Sequence, residues 1–232
     1  MKKMNLLVGS YNIEPFGSGD GLSLVSLDLE SGKLEKEAAF PGCRNPSYLV
    51  KNGERIYAVQ ELLEKGSTVS YRLTENKDLQ KIGNMDAPGG LMCHLTIWPG
   101  GKFISASNYW TGSLTVFPVM KDGALGSPTN MIQYSGQGVN KARQEGPHTH
   151  SSTVDPSGRW LVVAELGIDK IFLYRISEED GTLIPAEKPA TAAPAGSGPR
   201  HCSFSKDGTY LYVTAELESC VLCYFFDADN GV

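Results

Sequence analysis

Apolar and polar residues alternate in short runs along this chain. Side chains that alternate with a period of two face opposite sides of an extended strand, so such runs are typical of half-buried β-strands. No window of a dozen residues keeps its apolar residues at positions i, i+3, i+4 and i+7, which is the spacing of an amphipathic helix. The hydrophobic pattern therefore predicts an all-β fold.

One arrangement of runs and turns occurs four times, at intervals of roughly fifty residues. Each copy opens on a small or polar residue and continues through an alternating run, a glycine turn and a second run rich in aromatic and β-branched residues. The copies begin at Pro46, Cys93, His150 and His201, and their turns contain Gly53, Gly101, Gly158 and Gly208. Self-similarity at this period is typical of propellers and solenoids, in which no unit buries its apolar face alone.

Three copies continue with a third apolar run and then an Asp-Gly or Asn-Gly turn. The third runs begin at Leu114, Ile171 and Val221. Such turns reverse the chain between antiparallel strands, so a fourth strand should follow each of them. Four strands make one propeller blade, and a partial fifth copy opens the chain. The sequence predicts a single β-propeller domain over residues 1–232 with about 4–5 four-stranded blades, in preference to a sandwich of unrelated hairpins.

The chain ends inside one of these units. Val232 follows Asn230 and Gly231, where the earlier copies continue into a returning strand. We therefore expect a domain that is incomplete at its C-terminus, either as part of a larger propeller or as one that closes with five blades. An open fan of blades would leave apolar faces and strand edges in water, so self-association through the open edges is an expected consequence.

Composition and charge narrow the range of functions. The chain is 41% hydrophobic and 20% charged, which is ordinary for a globular protein, and its 26 glycines suit a fold made of many turns. A formal net charge of −5 argues against a nucleic-acid partner. The apolar stretch near the N-terminus is too short for a signal peptide, and no stretch approaches the roughly 18 apolar residues of a membrane span. We therefore expect a cytoplasmic protein that does not bind membranes.

The cysteines agree with that location. There are five, an odd number without the spacing of a disulfide framework, so we expect buried free thiols. Cys220 and Cys223 have the CxxC form. Residues three apart on a strand face opposite sides, however, which does not suit a shared metal ion.

Two longer motifs resemble those of a known family. The first runs from Gly146-Pro-His148-Thr-His150 to Tyr174, and the second from Gly198-Pro-Arg200-His201 to Glu216-Leu217, with weaker matches at Asn45-Pro-Ser-Tyr48 and Asn108-Tyr109. Through these motifs the chain resembles the propeller lactonase family, which includes bacterial 6-phosphogluconolactonases and fungal carboxy-muconate lactonizing enzymes. Members of that family are seven-bladed, so the resemblance implies a chain that ends about two blades early.

Lactone hydrolysis requires a base to activate water, a donor or cation for the developing oxyanion, and an acid for the leaving alkoxide. His148 and His150 are two residues apart and share a strand face, and Arg200 takes the corresponding place one unit later. Glu165 and Glu216 each end a second strand, so we expect them at one rim. Radial repetition brings such residues together around a central channel.

The resemblance implies a role for each of these residues. It assigns His150 as base or acid, Arg200 as the partner of the substrate anion or oxyanion, and Glu216 as the second acid/base group. His148 and Glu165 are expected to contribute to substrate binding. A further basic residue that the family takes from a later blade would lie beyond Val232.

Other polar residues near these motifs have alternative interpretations. Lys141 and Arg143, in a glycine-rich loop, are a candidate clamp for a phosphate or carboxylate, or an ordinary solvated loop. The His148–His150 pair with Glu165 or Glu216 would suit a divalent metal. The matched motifs are not those of metal-dependent propeller lactonases, so we expect no metal and no cofactor. We expect two further histidines to be structural, because they alternate with apolar neighbours: His94 and His201.

Three functions remain open at this point. The first is hydrolysis of a sugar lactone, such as the 6-phosphogluconolactone of the pentose phosphate pathway, with water as the nucleophile. The second is a lactonizing or isomerizing reaction of the carboxy-muconate type, and the third is a non-catalytic propeller fragment that binds a ligand or partner. A fold alone does not choose among them. The predicted convergence of His150, Arg200 and Glu216 favours the first.

Overall fold

The structure is a computed structural model that describes residues 2–63 and 65–231. Met1, Glu64 and Val232 lie outside the described residues, so the expectation about the last hairpin falls partly outside them. Within the described ranges the chain forms eighteen β-strands and one short 3₁₀ turn at Pro99–Gly101. None of the helical structure in these ranges has the length and apolar character that a bilayer crossing needs. The predicted all-β fold is confirmed.

The strands form five antiparallel sheets in chain order. Sheet 1 contains β1 (Lys3–Gly9), β2 (Leu22–Asp28) and β3 (Leu34–Phe40). Sheet 2 contains β4 (Leu49–Asn52), β5 (Arg55–Gln60), β6 (Ser67–Leu73) and β7 (Leu79–Asp86). Sheet 3 contains β8 (Met92–Ile97), β9 (Phe103–Asn108), β10 (Ser113–Pro118) and β11 (Asn130–Gln133). Sheet 4 contains β12 (Thr149–Val154), β13 (Trp160–Glu165), β14 (Lys170–Ile176) and β15 (Leu183–Ala192). Sheet 5 contains β16 (Pro199–Phe204), β17 (Tyr210–Ala215) and β18 (Cys220–Phe225).

The sheets are the blades of a β-propeller, as the repeat predicted. The first strands of sheets 2, 3, 4 and 5 (β4, β8, β12 and β16) contact one another in succession, so they line the axis. Strands inside each sheet are hydrogen-bonded in sequence order. The sheets therefore stand in a ring, and the residues that begin each inner strand meet near its centre.

The turn between the inner and second strands shows why the repeat is so regular. In sheet 4 the Asp155 carboxylate accepts hydrogen bonds from the backbone N–H groups of Ser157 (3.0 Å) and Trp160 (2.8 Å). Gly158 has φ 76° in this turn, a conformation that glycine adopts without a Cβ clash. Gly208, fifty positions later, has φ 75° in the corresponding turn of sheet 5. The two blades therefore share one template with a period of 50 residues.

Apolar side chains fill the spaces between successive sheets. One cluster joins Leu22 of sheet 1 to Ile56 of sheet 2, and three more occupy the following three spaces. The cluster between sheets 3 and 4 includes Trp98, Leu114 and Leu161, each at most 1% exposed. Burial of this kind stabilises a propeller blade by blade, because each of sheets 2, 3 and 4 supplies one wall of two cores.

The face of sheet 5 that points away from sheet 4 is exposed. Along β17 exposed and buried residues alternate, and Phe225 on β18 is 69% exposed. Cys220 and Cys223 are also exposed, so the expectation of buried thiols was wrong for these two. Cys223 lies on the face that no described sheet covers, whereas Cys220 faces the other side and is exposed at the start of β18, the last described strand of its sheet.

Candidate functional site

The inner strands of three blades begin with an irregular pairing. The register shifts between Met92 and His94 in sheet 3, between Thr149 and Ser151 in sheet 4, and after Pro199 in sheet 5. A β-bulge leaves an extra residue outside the ladder and changes the direction of its side chain. Bulges are common next to active sites for this reason. The unpaired residues are Cys93, His150 and the pair Arg200–His201.

His150 and Arg200 occupy the same position of adjacent blades. Thr149 pairs with Glu165, and Pro199 pairs with Ala215, so the second pair lies 50 residues after the first. The residue that follows is His150 in sheet 4 and Arg200 in sheet 5. The sequence prediction that Arg200 takes the place of His150 one blade later therefore agrees with the strand register.

These residues line a central cavity of about 340 Å³. The volume lies within the range of small-molecule sites. All five sheets contribute to the lining. Tyr11 lies in the loop between β1 and β2 of sheet 1, and Ser47 and Glu61 flank β4 and β5 of sheet 2. Cys93, His150 and Arg200 come from sheets 3, 4 and 5. The cavity therefore collects polar side chains that are far apart in the sequence.

His150 is a buried, uncharged imidazole. Only 8% of the residue is exposed, and its Nδ1 atom has no hydrogen-bond partner among the described residues. Burial lowers the pKa of His150 to about 2, and the positive charge of nearby Arg200 adds to the effect. A buried polar atom without a partner is costly in a protein interior. His150 is therefore a neutral ring in the cavity wall whose Nδ1 atom is shielded from solvent.

Arg200 is held by a carboxylate. Its Nε atom lies 2.7 Å from Oε2 of Glu216, and the Nη2 atom of Arg143 bonds to Oε1 of the same carboxylate. Glu216 is not part of the cavity wall. It connects two guanidinium groups, so its contacts fix the direction of Arg200 toward the cavity.

Glu165 does not lie at the rim with Glu216, and that expectation was wrong. Glu165 pairs with Lys170 inside the ladder, and the residue that pairs correspondingly in sheet 5 is Ala215. Glu216 is thus one position further along its strand, and a shift of one residue reverses the side-chain direction. Glu165 is fully buried and accepts a hydrogen bond from the backbone N–H of Ile168 at 3.0 Å. Burial raises its pKa to about 8.

His148 is engaged in structural contacts. Its Nδ1 atom lies 3.0 Å from the carbonyl oxygen of Tyr109, and its Nε2 atom lies 3.1 Å from Oε1 of Glu145. Its ring stacks on that of Tyr109 at 4.4 Å, and Tyr109 in turn contacts the His150 ring at 5.7 Å. His148 therefore supports the wall behind His150, and it is not among the residues of the wall itself.

The loop of Lys141 and Arg143 lies beside the cavity. Lys141 is exposed, and Arg143 reaches Glu216. Neither residue is part of the wall of the described cavity. The phosphate clamp expected from Lys141 and Arg143 therefore stays a prediction.

Asp169 anchors the segments that carry both arginines. Its carboxylate accepts hydrogen bonds from the side-chain amide of Gln144 (2.7 Å) and from the backbone N–H groups of Gly196 (2.7 Å) and Gly198 (2.9 Å). Gln144 follows Arg143, and Gly198 precedes Arg200 by two residues. The buried carboxylate therefore joins the loop before β12 to the start of β16.

Sequence reasoning missed two groups at this site. The first is a pair in which the Tyr11 hydroxyl donates to Oε2 of Glu61 at 2.7 Å. The second is His201, which was expected to be structural but lines the cavity with its ring 5.1 Å from that of His150. A signal for Glu61 existed, because Gln60-Glu61-Leu62 repeats the pattern of Ala215-Glu216-Leu217.

His94, the other histidine that was expected to be structural, packs beneath the site. Its ring lies 4.1 Å from that of Tyr48, and it is 5% exposed. Burial lowers its pKa to about 3, so it is neutral at physiological pH. Among the described residues, no three His, Cys, Asp or Glu side chains are placed to share a metal ion.

A larger cleft of about 530 Å³ lies between sheets 4 and 5. Its walls are mostly apolar and include Val162, Leu211 and Phe226. Hydrolysis of an ester requires polar groups that converge on one point, whereas the charged residues of this cleft, Glu187 and Lys188, are neighbours on the single strand β15. The central cavity is therefore the better candidate for chemistry.

Comparison with known proteins places the chain in a family. A family model described as "Lactonase, 7-bladed beta-propeller" matches residues 5–232. The chain belongs to this propeller lactonase family. It is 30% identical over 227 residues to a 6-phosphogluconolactonase from Bacillus subtilis, covering 97% of this chain and 63% of that protein. A 6-phosphogluconolactonase from Formosa agariphila is 29% identical, with coverage of 94% and 63%.

A solved structure supports the same placement. The periplasmic gluconolactonase from Pseudomonas aeruginosa superimposes with a TM-score of 0.89 at 30% identity, covering all of this chain and 66% of that one. The chain thus spans about two thirds of the length of its lactonase relatives, 63% in the curated cases above. The five sheets correspond to part of the seven-bladed fold of the family.

Proposed function

We propose that this chain hydrolyses a sugar lactone in the central cavity. The observation that carries the proposal is the placement of His150 and Arg200 at equivalent bulges, where both side chains line one cavity. Relatives named 6-phosphogluconolactonase and gluconolactonase belong to the same family and support a lactone as substrate. The reaction class follows from the site and the family together, since the fold alone is not specific.

Arg200 is the proposed partner of the lactone carbonyl oxygen. Attack by water places negative charge on that oxygen, and a positioned guanidinium stabilises the charge in a partly water-excluded site. Glu216 holds the guanidinium by its Nε atom, which leaves the terminal nitrogens of Arg200 to face the substrate. Glu216 is therefore proposed to act in catalysis mainly through Arg200.

His150 is the proposed second polar group on the substrate. Its imidazole is neutral in the free protein, so it can donate one hydrogen bond and accept another. An anion bound between His150 and Arg200 would offset the positive charge that holds the pKa of His150 low. His150 would then gain a proton as the substrate develops charge, and it could pass that proton to the leaving oxygen.

A phosphorylated lactone is the preferred substrate in this proposal. Lys141 and Arg143 lie on one loop, Arg143 contacts the carboxylate that also holds Arg200, and we propose that the two cations bind the phosphate group. We expect Lys141→Gln to raise KM for 6-phosphogluconolactone and to leave KM for gluconolactone unchanged. An equal effect on both substrates would contradict this assignment.

Location and self-association stay predictions. All five cysteines are free thiols, which is typical of a reducing compartment and supports a cytoplasmic protein. Self-association would use the exposed face of sheet 5, and sedimentation of wild type and Phe225→Asp would test it. A role in the pentose phosphate pathway depends on the phosphorylated substrate.

The test is hydrolysis of freshly prepared lactone with the spontaneous rate subtracted. Wild type should accelerate the reaction, and His150→Ala and Arg200→Gln should each lower kcat/KM about 100-fold or more. Arg175→Gln is the matched control, because Arg175 is exposed on β14 and far from the cavity wall. Equal rates for wild type and His150→Ala would exclude the proposed role of His150. Activity on unsaturated dicarboxylates alone would favour a lactonizing enzyme.

A further inference from the structure

Two glutamates occupy the same structural position in opposite parts of the ring. Each is the residue directly after the second strand of its blade: Glu61 follows Gln60 of β5, and Glu216 follows Ala215 of β17. The backbone N–H of Glu61 bonds to the carbonyl of Asn45 at 3.2 Å, and that of Glu216 bonds to the carbonyl of Gly198 at 2.9 Å. Both carboxylates therefore lie at the same end of the propeller axis, although their blades are on different parts of the ring.

Their surroundings differ in a way that affects proton transfer. Both oxygens of Glu216 bond to guanidinium groups, and Glu216 is not part of the cavity wall, so neither oxygen is placed to meet a water in the cavity. Glu61 has no ion pair within the described part of the chain. It accepts one neutral hydrogen bond, from the Tyr11 hydroxyl to Oε2 at 2.7 Å, and it lines the cavity. The Oε1 atom of Glu61 has no bond to any described side chain.

We propose that Glu61 is the general base that activates water in this site, with Tyr11 as the residue that positions it. This inference rests on the proposed lactone hydrolysis. It assigns a different role to each carboxylate: Glu216 orients Arg200, and Glu61 accepts a proton from the attacking water. The neutral His150 ring has low basicity in the free protein, which leaves the initial proton acceptance to a carboxylate.

The step balances without an external reactant. Water forms a bond from its oxygen to the lactone carbonyl carbon while one of its protons passes to a Glu61 oxygen. The carbonyl electron pair moves to the oxygen that faces Arg200. When the tetrahedral intermediate collapses, the bond between this carbon and the ring oxygen breaks, and the ring oxygen takes a proton from His150, which has gained it from solvent. Glu61 releases its proton to solvent, so both groups return to their starting state and lactone and water give the hydroxy acid.

Charged and titratable groups surround Glu61 from several elements. Tyr11 contacts it directly, and its pKa is raised first by burial and then by the hydrogen bond to Glu61, so it stays protonated. The half-buried Cys93 thiol lines the same wall, and the charges of Glu61 and Arg200 act on it with opposite sign. His150 and His201 complete the titratable groups of the cavity wall. Among the described residues that line the cavity, Glu61 is the only one with a carboxylate.

The experiment measures hydrolysis of gluconolactone from pH 4 to 8 by wild type, Glu61→Gln, Glu61→Ala, Tyr11→Phe and the control Glu54→Gln. Glu54 is exposed between β4 and β5 in the same blade. We expect Glu61→Gln to lower kcat by roughly 100-fold or more with little change in KM, since general-base catalysis contributes about 10²–10⁴. The acidic limb of the wild-type pH–rate profile should disappear in this variant. Formate or acetate should restore part of the rate of Glu61→Ala, a result that a purely structural role would not produce.

Tyr11→Phe removes the donor and keeps the ring. We expect a smaller loss in kcat and an acidic limb displaced to higher pH, because the ionised carboxylate loses a hydrogen bond. Near-ultraviolet circular dichroism checks that each variant is folded, and Glu61→Asp serves as the conservative replacement if Glu61→Gln is not.

The outcomes separate this inference from the proposed function. If wild type is active and Arg200→Gln is not, but Glu61→Gln matches Glu54→Gln, the lactonase proposal stands and the base assignment is overturned. If wild type does not exceed the spontaneous rate, the proposed function itself fails, and this inference fails with it. A large loss in Glu61→Ala without rescue by any small carboxylate, together with an unchanged pH profile in Glu61→Gln, would reduce Glu61 to a structural role.

Discussion

Asp169 gives the sharpest stability prediction for the framework of the site. This residue is 7% exposed, and its carboxylate accepts three hydrogen bonds, from Gln144, Gly196 and Gly198. Asp169→Ala removes all three bonds, which join the loop before β12 to the start of β16. The substitution therefore removes the contacts that hold Gly196 and Gly198, the residues just before Arg200, in place.

The expected cost follows from these contacts. A hydrogen bond to a charged group contributes about 1.5–3 kcal/mol, so three such bonds at the low end contribute about 4.5 kcal/mol. Relief of the desolvation of the carboxylate offsets part of this, which leaves a loss of about 3 kcal/mol. For a chain of this size the melting temperature should fall by about 6–12 °C.

The repeat supplies a matched control. Ser219 lies fifty residues after Asp169, and the two residues have nearly equal backbone conformations, with φ 53° and φ 52°. Ser219→Ala therefore reports the cost of alanine in this left-handed conformation without loss of the network. Thermal unfolding of both variants, followed by circular dichroism, isolates the contribution of the carboxylate. A melting temperature of Asp169→Ala within 2 °C of that of Ser219→Ala would refute the reasoning.

Two further predictions concern packing and acid stability. A Cβ at Gly167 would overlap the carbonyl oxygen of Gly146, so Gly167→Ala should lower the free energy of unfolding, measured in urea, by about 3 kcal/mol. A Cβ at Gly146 would meet no atom within 4 Å, so Gly146→Ala should leave the stability nearly unchanged. Similar midpoints for these two variants would contradict the close approach. The folded pKa of His94, about 3, is below its unfolded value near 6.5, so the unfolded state binds the proton first and stability falls as pH drops from 6.5 toward 3. At pH 5 this linkage lowers the free energy of unfolding by about 2 kcal/mol. Between pH 7 and pH 5 the wild type should therefore lose about 2 kcal/mol more stability than His94→Gln. Equal losses for the two proteins would count against a neutral buried His94.

The fold was predictable because its signals are local. Period-two alternation, glycine turns and Asp-Gly reversals each act within a few residues, and together they placed the third strands correctly. The predicted runs from Leu114, Ile171 and Val221 correspond to β10, β14 and β18, each of which begins one residue earlier. The 50-residue period also gives His150 and Arg200 equivalent positions in adjacent blades, so their convergence could be predicted from the spacing.

The side-chain directions at strand ends were not predictable to the same degree. Aligning Ala164-Glu165-Leu166 with Ala215-Glu216-Leu217 matches the residue types but not the strand register. The blade period of 50 makes Glu165 structurally equivalent to Ala215, one residue before Glu216. An error of one residue on a strand moves a carboxylate from the rim to the interior. Identity of short motifs was therefore a weaker guide than the constant period.

The Tyr11–Glu61 pair shows a second limit. These residues are 50 positions apart, and Tyr11 lies in the loop that follows the first strand of the incomplete first copy of the repeat. Their contact arises only when sheets 1 and 2 are placed side by side around the axis. A local pattern does not contain that information, although the equivalence of Glu61 and Glu216 within the repeat indicates where to look.

We propose that a sugar lactone binds where the bulges of adjacent blades converge, and a structure with bound 6-phosphogluconate, the ring-opened product, would show whether it does. We expect the product carboxylate within hydrogen-bond distance of Arg200 and His150, with Glu61 facing the same carbon. Product bound only in the apolar cleft between sheets 4 and 5, or a carboxylate remote from Arg200 in the central cavity, would contradict it.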